Sequence, residues 1–167
     1  MAGKVKREQF ATYLNTTPET PAVLESATAT YNLLGAGVTN AEINMGPKVS
    51  EEQYLAEDSS TSSLEAYAPK MPVEQTAILN DPVFDFVDQL RLDQAVLGEA
   101  ESDIVHAWLY EAGGPTAVPA EQQKVAIAPE DIGDKAGEPV KLTFTLNYVG
   151  DPIPGTFNTV TKVFTAT

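Results

Sequence analysis

A chain of 167 residues suits one domain burying roughly two thirds of its unfolded surface. Its 43% hydrophobic and 20% charged composition is that of a folded protein. It has no cysteine, which excludes disulfides and thiolate metal sites, and no stretch nears the ~20 apolar residues of a membrane helix. The net charge of −14 is uneven. The first nine residues carry Lys4, Lys6 and Arg7 against Glu8, a net of +2, so the other 158 sum to −16. A body that acidic repels nucleic acid. The basic start, MAGKVKREQF, has no apolar run behind it and does not read as a secretory signal. The expectation is a chain kept in a cytoplasm, or in a particle assembled there.

Residues 1–26 read as an arm, loose or strapped across another subunit. Phe10, Tyr13, Leu14 and Val5 are its main large apolar side chains, and TTPETPA signals turns and extended chain. The body then runs over 27–167. Thr28 to Leu34 reads as a strand turned by Gly35-Ala36-Gly37. Thr39 to Met45 alternates, with Ala41, Ile43 and Met45 on one face and Asn40, Glu42 and Asn44 on the other. Residues 46–61, GPKVSEEQYLAEDSST, form a long polar stretch with room for a short strand, much of it expected to project as a loop. Strands resume at Ser63 to Ala68 and Val73 to Leu79.

One helix is well marked over 82–92. Asp81 caps it, Pro82 suits its first turn and Asp85 lies near the positive end of the dipole. Val83, Phe86, Val87 and Leu90 fall on one stripe. On that basis Phe86→Ala would cost ~3–5 kcal/mol.

The remainder reads as strands. Asp103 to Tyr110 is apolar on both faces, with Ile104, His106, Trp108 and Tyr110 on the second, and Gly113-Gly114-Pro115 breaks it. Glu121 to Ala128 follows, then an acidic turn from Pro129 to Gly137. Val140 to Tyr148 alternates with Lys141, Thr143, Thr145 and Asn147, Gly150 to Gly155 reads as a tight turn, and Phe157 to Thr165 closes the chain. About seven to eight strands with one flanking helix imply a mostly-β protein, a β-sandwich or partly closed barrel.

Motifs for chemistry are absent. His106 is the single histidine and sits mid-strand between Ile104 and Trp108, a packed side chain rather than a base. No GxSxG turn and no phosphate-cradling glycine loop occur. Glu130, Asp131 and Asp134 lack the spacing of a calcium loop. The expectation is a protein that is not an enzyme and carries no cofactor and no metal.

Five stretches, in order along nearly the whole chain, resemble the major tail proteins of long non-contractile-tailed bacteriophages, especially those of Gram-positive hosts. They are KVKREQFATYLNTTPETP, LLGAGVTNAEINMGPKVSEEQYLAEDSST, YAPKMPVEQTAILNDPVFDFVDQLR, GDPIPGTF and TKVFTAT. Tyr31-Asn32 before the Leu-Leu-Gly is a mild departure. The resemblance implies the phage tail-tube fold, a β-sandwich with one flanking helix, also shared by contractile-tail and type VI secretion tubes. It implies hexameric rings stacked into a tube in the virion tail, assembled in the host cytoplasm. The partners implied are further copies, a tape-measure protein, and tail-terminator and distal tail proteins; double-stranded DNA would pass through without specific binding, and no membrane is involved.

In that setting the 46–61 stretch becomes an inter-ring loop, with Lys48, Glu51, Glu52, Tyr54, Glu57 and Asp58 as contact candidates. The polar strand faces, Asn40, Glu42 and Asn44 or Thr143, Thr145 and Asn147, become candidates for the lumen, though Lys141 spoils the second set. A competing reading is a non-catalytic β-sandwich binding or decoration module, adhesin-like. It accounts for strands and acidity but not for the basic arm.

Overall fold

The computed structural model describes residues 3–111 and 114–167. The proposed break at Gly113 lies partly outside them, as do the first two residues of the arm. Among the described residues there are ten strands and one α-helix, in the order β1 (Phe10–Asn15), β2 (Tyr31–Leu33), β3 (Val38–Ala41), β4 (Pro47–Glu52), β5 (Thr61–Tyr67), β6 (Lys70–Thr76), α1 (Pro82–Asp93), β7 (Glu101–Trp108), β8 (Val118–Gly133), β9 (Lys141–Asn158) and β10 (Val163–Ala166). This is a mostly-β protein with one helix, as its alternating segments imply.

The main sheet runs β2-β1-β7-β8-β9-β6-β3, with β10 added to the far half of β9, and every pairing is antiparallel. Its two end strands, β2 and β3, are joined by residues 34–37 alone, a gap that five peptide steps bridge over less than about 18 Å. The sheet therefore curls back on itself into a partly closed barrel. Arg7 crosses the seam: its guanidinium donates to the carbonyls of Phe10 at the start of β1 and, at 3.0 Å, of Ala41 at the end of β3.

Two cores lie on opposite sides of the sheet. The larger gathers Leu14, Met71, Val73, Ile104, Val125, Ile127, Leu142, Phe144 and Leu146 with Val83 and Val87 of the helix. The smaller gathers Ala11, Tyr13, Tyr31, Val105, Ala107, Val118, Ala120 and Phe157. Strands β1 and β7 run between them and are buried on both faces. Hence β7 is aromatic on one side and aliphatic on the other.

The helix forms where its signals stand. The Asp81 carboxylate accepts from the Phe84 amide at 3.1 Å and from Gln75 Nε2 at 2.6 Å, so one side chain caps the helix and ties it to β6. Pro82 occupies the first turn, and Gln94 ends the helix in the left-handed conformation. Val83 and Val87 are fully buried, each contributing about 1.5–3 kcal/mol. Phe86 and Leu90 are only half-buried at the edge of the core, joined there by Phe84.

Several expectations are corrected. The arm ends at residue 9, because Phe10–Asn15 is an interior strand between β2 and β7. The strand expected from Thr28 is confined to Tyr31–Leu33. Alternation from Thr39 continues as a ladder only to Ala41, and Met45 is exposed. Chain through Pro129 to Gly133 remains strand, so the turn lies beyond it. The run Gly150 to Gly155 is not a turn. It is a bulge within the 18-residue β9, where Gln122 pairs Ile153 but Lys124 pairs Val149, and Gly150 takes the left-handed φ of +72° that the bulge requires. Finally, the 46–61 loop is half of a β-hairpin, β4 on β5.

Candidate assembly surfaces

The β4–β5 hairpin stands off the barrel as a sheet of its own. Gly46 at its root has φ +53°, and a Cβ there would lie 2.4 Å from the Ala68 carbonyl oxygen, so only glycine lets the two arms converge. Pairing places Pro47, Tyr67, Val49, Leu64, Glu51 and Ser62 on one face and Lys48, Ala66, Ser50, Ser63, Glu52 and Thr61 on the other. Every residue of β5 is exposed, with Val49, Leu64 and Tyr67 at 55%, 51% and 55%. The first face thus carries an apolar strip that none of the described residues covers. A two-stranded hairpin with an uncovered apolar face is marginal in water by itself.

Acid collects toward the tip. Glu51 and Glu52 end β4, the Tyr54 hydroxyl donates to Glu52 at 2.9 Å, and Glu57 and Asp58 follow in the exposed turn beside Leu55. Of the six contact candidates, Lys48 sits near the root on the polar face and the other five at the outer end.

The lumen candidates share one surface. Asn40 pairs Glu74, which pairs Thr143, which pairs Asp131; Asn44 pairs Lys70, which pairs Asn147, which pairs Ala126. Both rows lie opposite the Ala41, Val73 and Phe144 face that enters the large core. Glu42 is exposed between them beyond the end of β3. The two proposed sets are therefore parts of a single polar sheet face, with β6 contributing Lys70, Pro72 and Glu74 at its centre. Strand β6 was missed as a contributor because Pro69 and Pro72 read as breaks. Pro72 is accommodated where β3 has left the ladder, so its missing N–H costs no bond.

Charge on this face differs from the reading of the sequence. Lys141 Nζ is 3.3 Å from Glu74 and 3.8 Å from Asp134, so it is outnumbered by carboxylates rather than presented as a free cation. Thr145 is buried and donates to Glu130 at 2.6 Å, and the Thr143 hydroxyl accepts from the Asp131 amide at 3.2 Å. Small side chains, Ala126, Ala128, Thr143, Thr145 and Pro72, fill much of the face, with Glu74 and the exposed Lys70 beside them on β6 and further carboxylates along its rim.

Two polar centres, at His106 and at Asp103, are buried within the fold. His106 is buried beneath Phe10 and Trp108, which it stacks on. Its Nδ1 lies 3.0 Å from Thr12 Oγ1 and its Nε2 against the Tyr148 hydroxyl. Burial first, and the nearby Arg7 cation second, push its pKa down to about 4. The ring is therefore neutral in the fold, while the Tyr148 hydroxyl is held protonated, above its ordinary range, by burial and by the charge of Glu121. An unfolded histidine titrates near 6.5. The unfolded chain binds the extra proton first, so this histidine's contribution is present above pH ~6.5 and lost as pH falls toward 4, by up to about 3 kcal/mol. Denaturation midpoints of His106→Gln and the parent should converge in that window; a parallel pH dependence in both would contradict the account.

On the other side of the sheet, Asp103 is buried among Asn15, Tyr31 and Gln122. Among the described residues no group of three or more His, Cys, Asp or Glu is arranged to hold a metal, and no helix is long and apolar enough to cross a membrane.

No protein-family model and no curated protein matches the chain. Among solved structures, a chain of the cryo-EM structure of the anti-feeding prophage (AFP) baseplate, 6-fold symmetrised, aligns with a TM-score of 0.51 over 92% of this chain and 97% of that one, at 13% identity. What the two chains share is the fold: nearly the whole of each follows one path.

Proposed function

We propose that this protein is a non-catalytic structural subunit of a phage-type tail, and specifically the major tail protein whose hexameric rings stack into the tail tube. The observation that carries the reading is the β4–β5 hairpin, a built element with an uncovered apolar strip that the isolated subunit has no use for. Its fold likeness to a chain of a six-fold symmetrised phage-related baseplate supports a ring-forming role. The ordered sequence resemblance supports the narrower assignment to long non-contractile tails of Gram-positive hosts. The tape-measure, terminator and distal tail proteins are the partners that assignment brings.

In this reading the acidic-rimmed face of β3, β6 and β9 lines the bore. Double-stranded DNA gains affinity, and hence drag, with every phosphate contact to a cation. With Lys141 held between Glu74 and Asp134, Lys70 is the exposed cation that this face presents, so it offers few such contacts.

Replacing residues 48–66 by Asn-Gly, so that Pro47 and Tyr67 are joined through a tight turn, tests the role of the hairpin. The product should fold, with a thermal midpoint near that of the parent, and should form no tubes. Normal tubes from this variant would defeat the proposal.

A further inference from the structure

We infer that the hairpin of one copy is completed by the basic N-terminal segment of another, residues 3–6 lying along the free edge of β4. This rests on the tube reading and names the partner surface of the hairpin within it. Strand β4 pairs with β5 alone, so the backbone groups of its other edge are unpaired among the described residues. A third strand would satisfy that edge and bring a marginal hairpin to independent stability.

The occupant is picked out by charge. Of the ten cationic residues in the chain, three fall at Lys4, Lys6 and Arg7, while β4 and the tip carry Glu51, Glu52, Glu57 and Asp58. Copies whose bodies are each strongly negative repel one another, so the densest cluster of cations, at Lys4, Lys6 and Arg7, is the hairpin tip's best attractive target on a second copy. Residues 3–6 are exposed and lie outside any strand, with Lys6 in extended conformation. Val5, between the two lysines, is 58% exposed, a small apolar side chain of a segment that the rest of the chain leaves uncovered. Four extended residues span about 13 Å, the length of Val49 to Glu52.

Position agrees as well. Arg7 holds the N-terminal segment at Ala41, three residues before the Asn44 bridge at the hairpin root. The hairpin then carries its acidic end about 20 Å away from that root. Its own segment is held at the root, so the segment that meets the acidic end belongs to another copy. Among the described residues the only ion pair on the segment, Lys6 to Glu8 at 3.9 Å, is largely solvated at both ends and competes weakly.

The test is charge reversal with rescue, read by sedimentation and electron microscopy across salt concentrations. K4E/K6E alters exposed residues only and should keep the parent's thermal midpoint. Its assembly should require roughly tenfold more protein or more, and K4E/K6E/E51K/E52K should recover most of that loss. In the antiparallel register that sets residues 3–6 on Val49 to Glu52, Lys4 falls opposite Glu51 and Val5 opposite Ser50; since the chain has no cysteine, a mixture of V5C and mass-tagged S50C should also give a disulfide-linked heterodimer on oxidation. Unchanged assembly of K4E/K6E, or no rescue by the fourfold variant, would overturn this contact while leaving the tube reading intact. A parent protein that never assembles would remove the tube reading itself.

Discussion

Asp103→Ala is expected to lower the unfolding free energy by about 3–5 kcal/mol. Asp103 is 1% exposed, and its hydrogen-bond partners among the described residues are all neutral side chains. Its charge is held instead by donors: Asn15 Nδ2 at 2.8 Å on one oxygen, the Tyr31 hydroxyl and Gln122 Nε2, the latter at 3.0 Å, on the other. Burial, followed by the carboxylate's charge and hydrogen bond, drives the Tyr31 hydroxyl far above its ordinary pKa and keeps it a donor. Removing the carboxylate leaves three buried donors short of an acceptor. Asp103→Asn should also destabilise, because half of the amide presents N–H groups to donors.

The damage should spread along the chain. Asn15 Oδ1 accepts from the amides of Thr17 and Thr30, and Gln122 Oε1 from the amide of Glu25, so the network clasps both ends of segment 16–30 to the sheet. Chemical denaturation should show the loss, and hydrogen exchange should accelerate first across 16–30. A loss below 1 kcal/mol with unchanged exchange would contradict the assignment.

Phe144→Ala should cost a further independent ~3–5 kcal/mol. Phe144 is fully buried, pairs across to Val73 of β6 and lies in the core that the helix closes. The same deletion at Phe86 should cost about half as much, since that ring is only half-buried at the helix margin and leaves a cavity that water can fill. Thermal melts of the two variants decide it. An equal or reversed order would mean that the helix packs by a different stripe.

That contrast marks how far the sequence could be read. The helix was legible because Asp81, Pro82 and the apolar spacing are all local signals within twelve residues. The alternation in Lys141 to Tyr148 was legible for the same reason. Strand β1 was not. Thr12 and Asn15 look like arm residues until they meet His106 and Asp103, partners 94 and 88 residues away. Polar residues buried by such pairing break the two-residue period that identifies a strand. The Gly150 to Gly155 run carried every turn residue, yet the ladder of β8 passes it by absorbing the extra chain as a bulge. In the 46–61 stretch, the apolar strip was invisible because Val49 is the one large apolar residue of β4, and Leu64 and Tyr67, which share its face, lie beyond the turn. The polar face was half legible. Its Asn40 and Thr143 sets were found separately, and only the β6 register, hidden by two prolines, joins them.

The most direct test of the central claim is electron microscopy of the purified protein over a range of concentrations. The account predicts six-fold rings that stack into tubes of uniform bore, with each subunit's hairpin engaged with another copy. A protein that stays monomeric at every concentration, with the apolar strip of Val49, Leu64 and Tyr67 still open to solvent, would contradict it.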